Sequence, residues 1–125
     1  MTPEEVEAQV DLTVIRGDDA SFDVVIKDSV GQTVNLTGGV LKFTARSRSS
    51  DISALINKSS AIVGQITFVD AIHGMATLKI EDSDTSPLYA PSTLVYDFEF
   101  TSAGGDVTTV LPAGVLTILR DITHP

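Results

Sequence analysis

The chain contains no cysteine and no tryptophan. Without thiols there is no disulfide framework, no thiolate metal site and no cysteine nucleophile, so stability has to come from packing. Histidine is scarce too: His73 and His124 are the only two, too few and too poorly accompanied for a metal triad or a nucleophile–base pair. Basic residues are outnumbered, with eight lysines and arginines against seventeen aspartates and glutamates, a formal charge of −9. That charge repels phosphate backbones and anionic headgroups, which argues against direct nucleic-acid or membrane-surface binding. Long apolar runs are missing, since none approaches the ~20 residues of a membrane span. The start, Met1-Thr-Pro-Glu-Glu-Val-Glu7, lacks the basic and apolar regions of a signal peptide. The expectation is a soluble protein without an export signal of its own, and nothing in it calls for a cofactor.

What is present is β pattern. For a chain of this mass the area scaling gives roughly 6,400 Å² folded against roughly 19,000 Å² unfolded, enough for one domain with one core. The clearest stretch is Leu94 to Thr101, where Leu94, Tyr96, Phe98 and Phe100 alternate with Val95, Asp97, Glu99 and Thr101. Period two puts the first set on a core face and the second mostly in water. Ala103-Gly104-Gly105-Asp106 supplies a turn, Val107 to Leu111 returns as the antiparallel partner until Pro112 stops it, and Val115 to Ile122 adds a further strand.

Residues 1–9 are acidic and carry a proline, which reads as a flexible arm, with residues 10–125 as a single domain. Val10–Arg16 and Phe22–Lys27 read as strands joined by the turn Gly17-Asp18-Asp19, and Thr33–Leu36 and Val40–Arg46 as two more. The Ser-rich stretch 46–60 breaks the pattern. Ile52, Leu55 and Ile56 are spaced for one helical turn, with Ser50 or Asp51 as its cap, inside either a surface crossover between sheets, the preferred reading, or a functional loop. Ala61–Val63 reads as a short strand, and Ile66–Asp70 with Met75–Ile80 as a hairpin. Glu81 to Leu88 is rich in turn and cap formers.

Few residues offer chemistry. Asp18, Asp19 and Asp23, and again Glu81, Asp82 and Asp84, have oxygens for a hard cation such as calcium, but without EF-hand spacing. Turn carboxylates capping local amides is the better reading. Asp97 and Glu99 share a strand face as an acid–base pair would, yet no motif accompanies them, so a solvated face is preferred and no catalytic or metal-binding residue is assigned.

Taken in order, Leu12-Thr-Val-Ile-Arg16-Gly17-Asp18, Phe22-Asp-Val-Val-Ile26, Val34-Asn-Leu36-Thr37-Gly38 and Leu41-Lys-Phe43-Thr44 begin a pattern of strands and turns. Gly74-Met-Ala-Thr-Leu78, Asp84-Thr85 with Leu88, and Tyr96-Asp97-Phe98-Glu99 continue it. Gly105, Val107-Thr108-Thr109-Val110-Leu111, Gly114 and Leu116-Thr-Ile118 complete it. The whole resembles the N-terminal domain of the baseplate upper proteins of tailed phages. Those proteins generally continue into a helical, host-facing region, whereas here the last strand comes just before Pro125, which fits a stand-alone subunit or a fragment.

The resulting expectation is an all-β, immunoglobulin-like antiparallel β-sandwich of about nine short strands with one or two helical turns. The resemblance implies a non-catalytic structural protein of the virion, in tail, baseplate, neck or fibre attachment, present in multiple copies and bound to other virion proteins. Docking is expected through sandwich edges and loops, with Glu4 and Glu5 of the arm and Arg46, Arg48 and Lys58 of the 46–60 stretch as contacts. The alternative from a different class is a carbohydrate- or host-surface-binding sandwich, weakened by having only five phenylalanines and two tyrosines and no tryptophan.

Overall fold

Alternation of apolar and polar residues, broken every few positions by glycine or aspartate, produces strands where it persists and turns where it stops. The computed structural model describes residues 10–47, 54–88 and 90–121. Among these are eight strands: β1 (Leu12–Ile15), β2 (Ala20–Val25), β3 (Val40–Arg46), β4 (Ile56–Ser59), β5 (Ile66–Asp70), β6 (Met75–Ile80), β7 (Ser92–Thr101) and β8 (Val107–Leu119). A 3-10 turn at Ala71–His73 joins β5 to β6, and one short helix, α1 (Asp82–Thr85), lies between β6 and β7.

The strands form two sheets, β1-β8-β7-β3-β4 and β2-β6-β5. Every pairing is antiparallel except β1 with β8, which is parallel. Second, fifth and sixth strands on one side, with third, seventh and eighth on the other, is the immunoglobulin-like sandwich, here with β1 and β4 added at the rims of the larger sheet. The arm 1–9 lies outside the described residues.

The core follows the alternation. Leu94, Tyr96, Phe98 and Phe100 are all buried, and Phe98 is 0% exposed. Their register partners Leu41, Phe43 and Ala45 on β3 face the same way. Phe43, Tyr96 and Phe98 meet at ring-centroid distances of 5.2, 5.3 and 6.1 Å, in tilted and edge-on arrangements that suit the ring quadrupole. Val24, Ile66, Ala76, Leu78 and Ile80 of the smaller sheet close the other side.

The structure redraws four local expectations. Pro112 does not end a strand: β8 runs from Val107 to Leu119. Its pairing with β7 skips instead, from Phe98↔Val110 to Tyr96↔Gly114, leaving Leu111, Pro112 and Ala113 against Asp97 alone. A proline is tolerated there because no ladder donor is required of it. Thr33–Leu36 forms only an isolated bridge, Lys27↔Thr33, because this stretch carries the chain from one sheet to the other and has no single neighbour to ladder with. The 46–60 connection is not a crossover but the link of a hairpin within one sheet, with Ala45 opposite Ile56. Ile56 therefore belongs to strand β4 rather than to a helical turn. Residues 48–53, where Arg48, Ser50, Asp51 and Ile52 fall, lie outside the described residues. Ala61–Val63 is an exposed turn, and the crossover runs from β4 through it to β5.

Candidate docking surfaces

Most of the polar side chains that reach inward hold one short segment in place. The loop between β6 and β7 has to cross from the smaller to the larger sheet, and α1 with its flanks is clamped there from three directions. From the end of β1, Arg16 donates from Nε to the Leu88 carbonyl at 2.8 Å and from Nη2 to the Ser86 carbonyl, while its Nη1 pairs with Asp121 at 3.2 Å. From the β1–β2 turn, the Gly17 amide donates to Thr85 Oγ1 at 2.9 Å, and Asp19 Oδ1 accepts the Asp82 amide at 2.8 Å. From β4, Lys58 Nζ reaches Asp84 Oδ2 at 2.6 Å. That same oxygen accepts the Glu81 amide at 2.7 Å, so Asp84 caps the start of α1 and holds the lysine at once.

This geometry corrects one expected contact. Lys58 is 5% exposed, its side chain directed between the sheets because Ile56 and Lys58 alternate inward along β4. It is an internal ion pair and not a surface cation. An inward-pointing charge on an edge strand also discourages unwanted pairing of that strand. Arg46 remains at the surface of β3, half-buried, opposite Val95, with a buried Nε that has no hydrogen-bond partner among the described residues. Glu4, Glu5 and Arg48 lie outside the described residues.

Three of the clustered aspartates accept backbone amides, and Asp23 Oδ1 accepts the Thr77 hydroxyl. Asp19 and Asp84 accept backbone amides as above, and Asp82 Oδ1 accepts the Ser83 amide at 2.8 Å. No group of three or more His, Asp or Glu among the described residues is placed to hold a metal ion. Asp97 and Glu99 sit on the outer face of the larger sheet, opposite Thr44 and Lys42. His73 pairs with Asp70 across the 3-10 turn at 2.8 Å, both exposed. Tyr96 is the titratable group most altered by the fold: burial, and then the Asp11 carboxylate, push it up to about 12, and its hydroxyl donates to the Val10 carbonyl.

Exposed apolar side chains among the described residues gather on the smaller sheet. Val25 and Met75 are register partners on the outer face of the smaller sheet, 41% and 43% exposed. Val69, outward in the alternation of β5, stands beside them, 66% exposed. These side chains flank a groove of about 180 Å³. Ile72, in the 3-10 turn that joins β5 to β6, is also exposed. Period-two reading could place Val25, Val69 and Met75 on outer faces of their strands, but not bring the three together, which depends on strand pairing. By contrast the free edge of β4 is blunted, since Gln65 Oε1 accepts the Ser59 amide at 2.9 Å and the Ser59 carbonyl takes the Ile62 amide.

No protein-family model matches this chain, and no curated protein does. Among solved structures the chain is similar to a structure of murine CRIg, with 13% identity over 89% of this chain and 92% of that one and a TM-score of 0.41. The immunoglobulin-like assignment stands on the strand order itself.

Proposed function

We propose that the protein is a non-catalytic assembly component of a tailed-phage virion, a sandwich that docks on neighbouring virion proteins and positions them. The observation that carries the docking part is the outward apolar group Val25, Val69 and Met75 on a molecule of charge −9. Contiguous exposed apolar side chains on an otherwise charged surface mark protein contacts. The virion part rests on the run of turns and strands from Leu12 to Ile118 that resembles baseplate upper proteins. Lys58, Thr85 and Arg16 are engaged in clamping α1, a structural task.

The test is incorporation. Particles produced with Val69→Lys together with Met75→Lys are expected to contain at least about tenfold less of the protein than wild type, while the purified variant keeps its thermal midpoint. Wild-type occupancy of the folded variant removes the apolar group from the contact surface, and absence of the wild-type protein from purified particles removes the virion reading.

A further inference from the structure

The smaller sheet has an edge whose hydrogen bonds can be followed residue by residue. Just past the β2–β6 ladder the Ile26 amide donates to the Gly74 carbonyl at 2.8 Å, while the Ile26 carbonyl accepts the Val34 amide, and in the same phase Val24, Phe22 and Ala20 spend their backbone groups on β6. The N–H and C=O groups of Ser21, Asp23 and Val25 therefore point away from it. At the next position of that series, Lys27, the outward groups are both taken by β8: Lys27 N–H donates to the Leu111 carbonyl at 2.9 Å, and Leu111 N–H donates back at 2.8 Å. This bridge is antiparallel. The edge of β2 is thus already shaped to accept an antiparallel strand, and it receives one residue of it before β8 turns at Pro112 to join β1 and β7. Beyond that point the outward groups of Ser21, Asp23 and Val25 have no partner among the described residues, along roughly 14 Å of edge.

Both sides of this edge offer apolar recesses. On the side of β8 a groove of about 170 Å³ is lined by Val10, Val24, Val25, Leu111 and Pro112, with Asp23 and Lys27 as its charged members. On the outer side lies the groove with Val25, Val69 and Met75. A strand added here would send alternate side chains into the two. Charge selects the occupant. Asp23 stands at the centre on the outer face, exposed, with Oδ1 accepting the Thr77 hydroxyl at 3.2 Å. A second copy whose β2 pairs about a two-fold axis through Asp23 sets carboxylate against carboxylate, and residues 1–9, with Glu4, Glu5 and Glu7, contain no basic side chain to set opposite Asp23.

We propose that the open edge of β2 receives an extended segment of a partner protein, antiparallel, apolar at the positions facing the two grooves and bearing a lysine or arginine opposite Asp23. The proposal rests on the reading of a docking protein but not on the virion as its setting.

The probe is the capped peptide acetyl-Val-Val-Lys-Val-Thr-amide, with a Glu-for-Lys version as control, added at millimolar concentration to the purified full chain. Amide hydrogen exchange of Ser21, Asp23 and Val25 should be fast in the free protein and slow by about tenfold with the lysine peptide, which should bind at least about tenfold tighter than the control at low salt. Asp23→Lys, an exposed change that leaves the fold intact, should reverse the preference. Three amides already protected in the free chain show an edge covered from within, and concentration-dependent dimerisation abolished by Asp23→Lys shows a second copy there; either overturns the assignment. So does exchange unaffected by the lysine peptide, or an unchanged peptide preference in Asp23→Lys. Failure here with the wild-type protein present in particles moves the docking edge but leaves the docking function standing.

Discussion

At the scale of single residues the account is most exposed on β7, where neighbours differ only in the face they occupy. Phe98 is fully buried against Phe43 and Tyr96, and Glu99 is exposed. Phe98→Ala should cost about 3–5 kcal/mol and Glu99→Ala less than about 0.5 kcal/mol, read from urea denaturation midpoints. Tyr96 supplies a pH signature. Its ionisation is pushed up in the fold, so the folded chain holds the phenolic proton more tightly than the unfolded chain, whose tyrosine titrates near 10. That contribution is fully present below about pH 10 and is lost as pH rises towards about 12. Denaturation from about pH 9 to 12 should show a steeper loss of stability in wild type than in Tyr96→Phe; parallel curves contradict the burial of the hydroxyl. The alternation that located these side chains was legible in the sequence because it is local. Lys58 was not: flanked by Asn57 and Ser59 it has the look of a surface lysine, and only the fold brings Asp84 to it.

At the scale of elements, the clamp on α1 is the feature that can be tested alone. Asp84→Ala removes the carboxylate that holds both the Lys58 ammonium and the Glu81 amide, leaving a 5%-exposed lysine without its counter-charge. The expected loss is about 3–5 kcal/mol, whereas Lys58→Met, which leaves Asp84 more exposed to water, should cost less. Equal small losses for the two in thermal unfolding would mean that the pair is not set in the structure as described. Strand existence was readable from turn residues and period two, but connectivity was not. Pro112 was read as a stop because a proline usually lacks a ladder site, and its place in a skipped register depends on Lys27 having taken Leu111. The 46–60 stretch was read as a crossover because its serines hide β4, whose inward residues are one isoleucine and one lysine.

At the scale of the molecule, the charge of −9 sets what the surface can approach. The purified protein should give no shift of duplex DNA at micromolar concentration and physiological salt, and a clear shift would overturn the electrostatic argument. The same charge favours a partner with basic segments, which agrees with the edge of β2 and with Asp23 at its centre. The contacts expected from the sequence fall on the arm 1–9 and the 46–60 stretch, whereas the exposed apolar side chains Val25, Val69 and Met75 gather on the smaller sheet. The most direct measurement of the central claim is a density map of the intact particle. The account predicts repeated copies of this eight-stranded sandwich, each with an extended segment of a neighbouring protein along β2 and the Val25–Met75 face covered. Particles in which no copy is found, or in which that edge and face stand open to solvent, would contradict it.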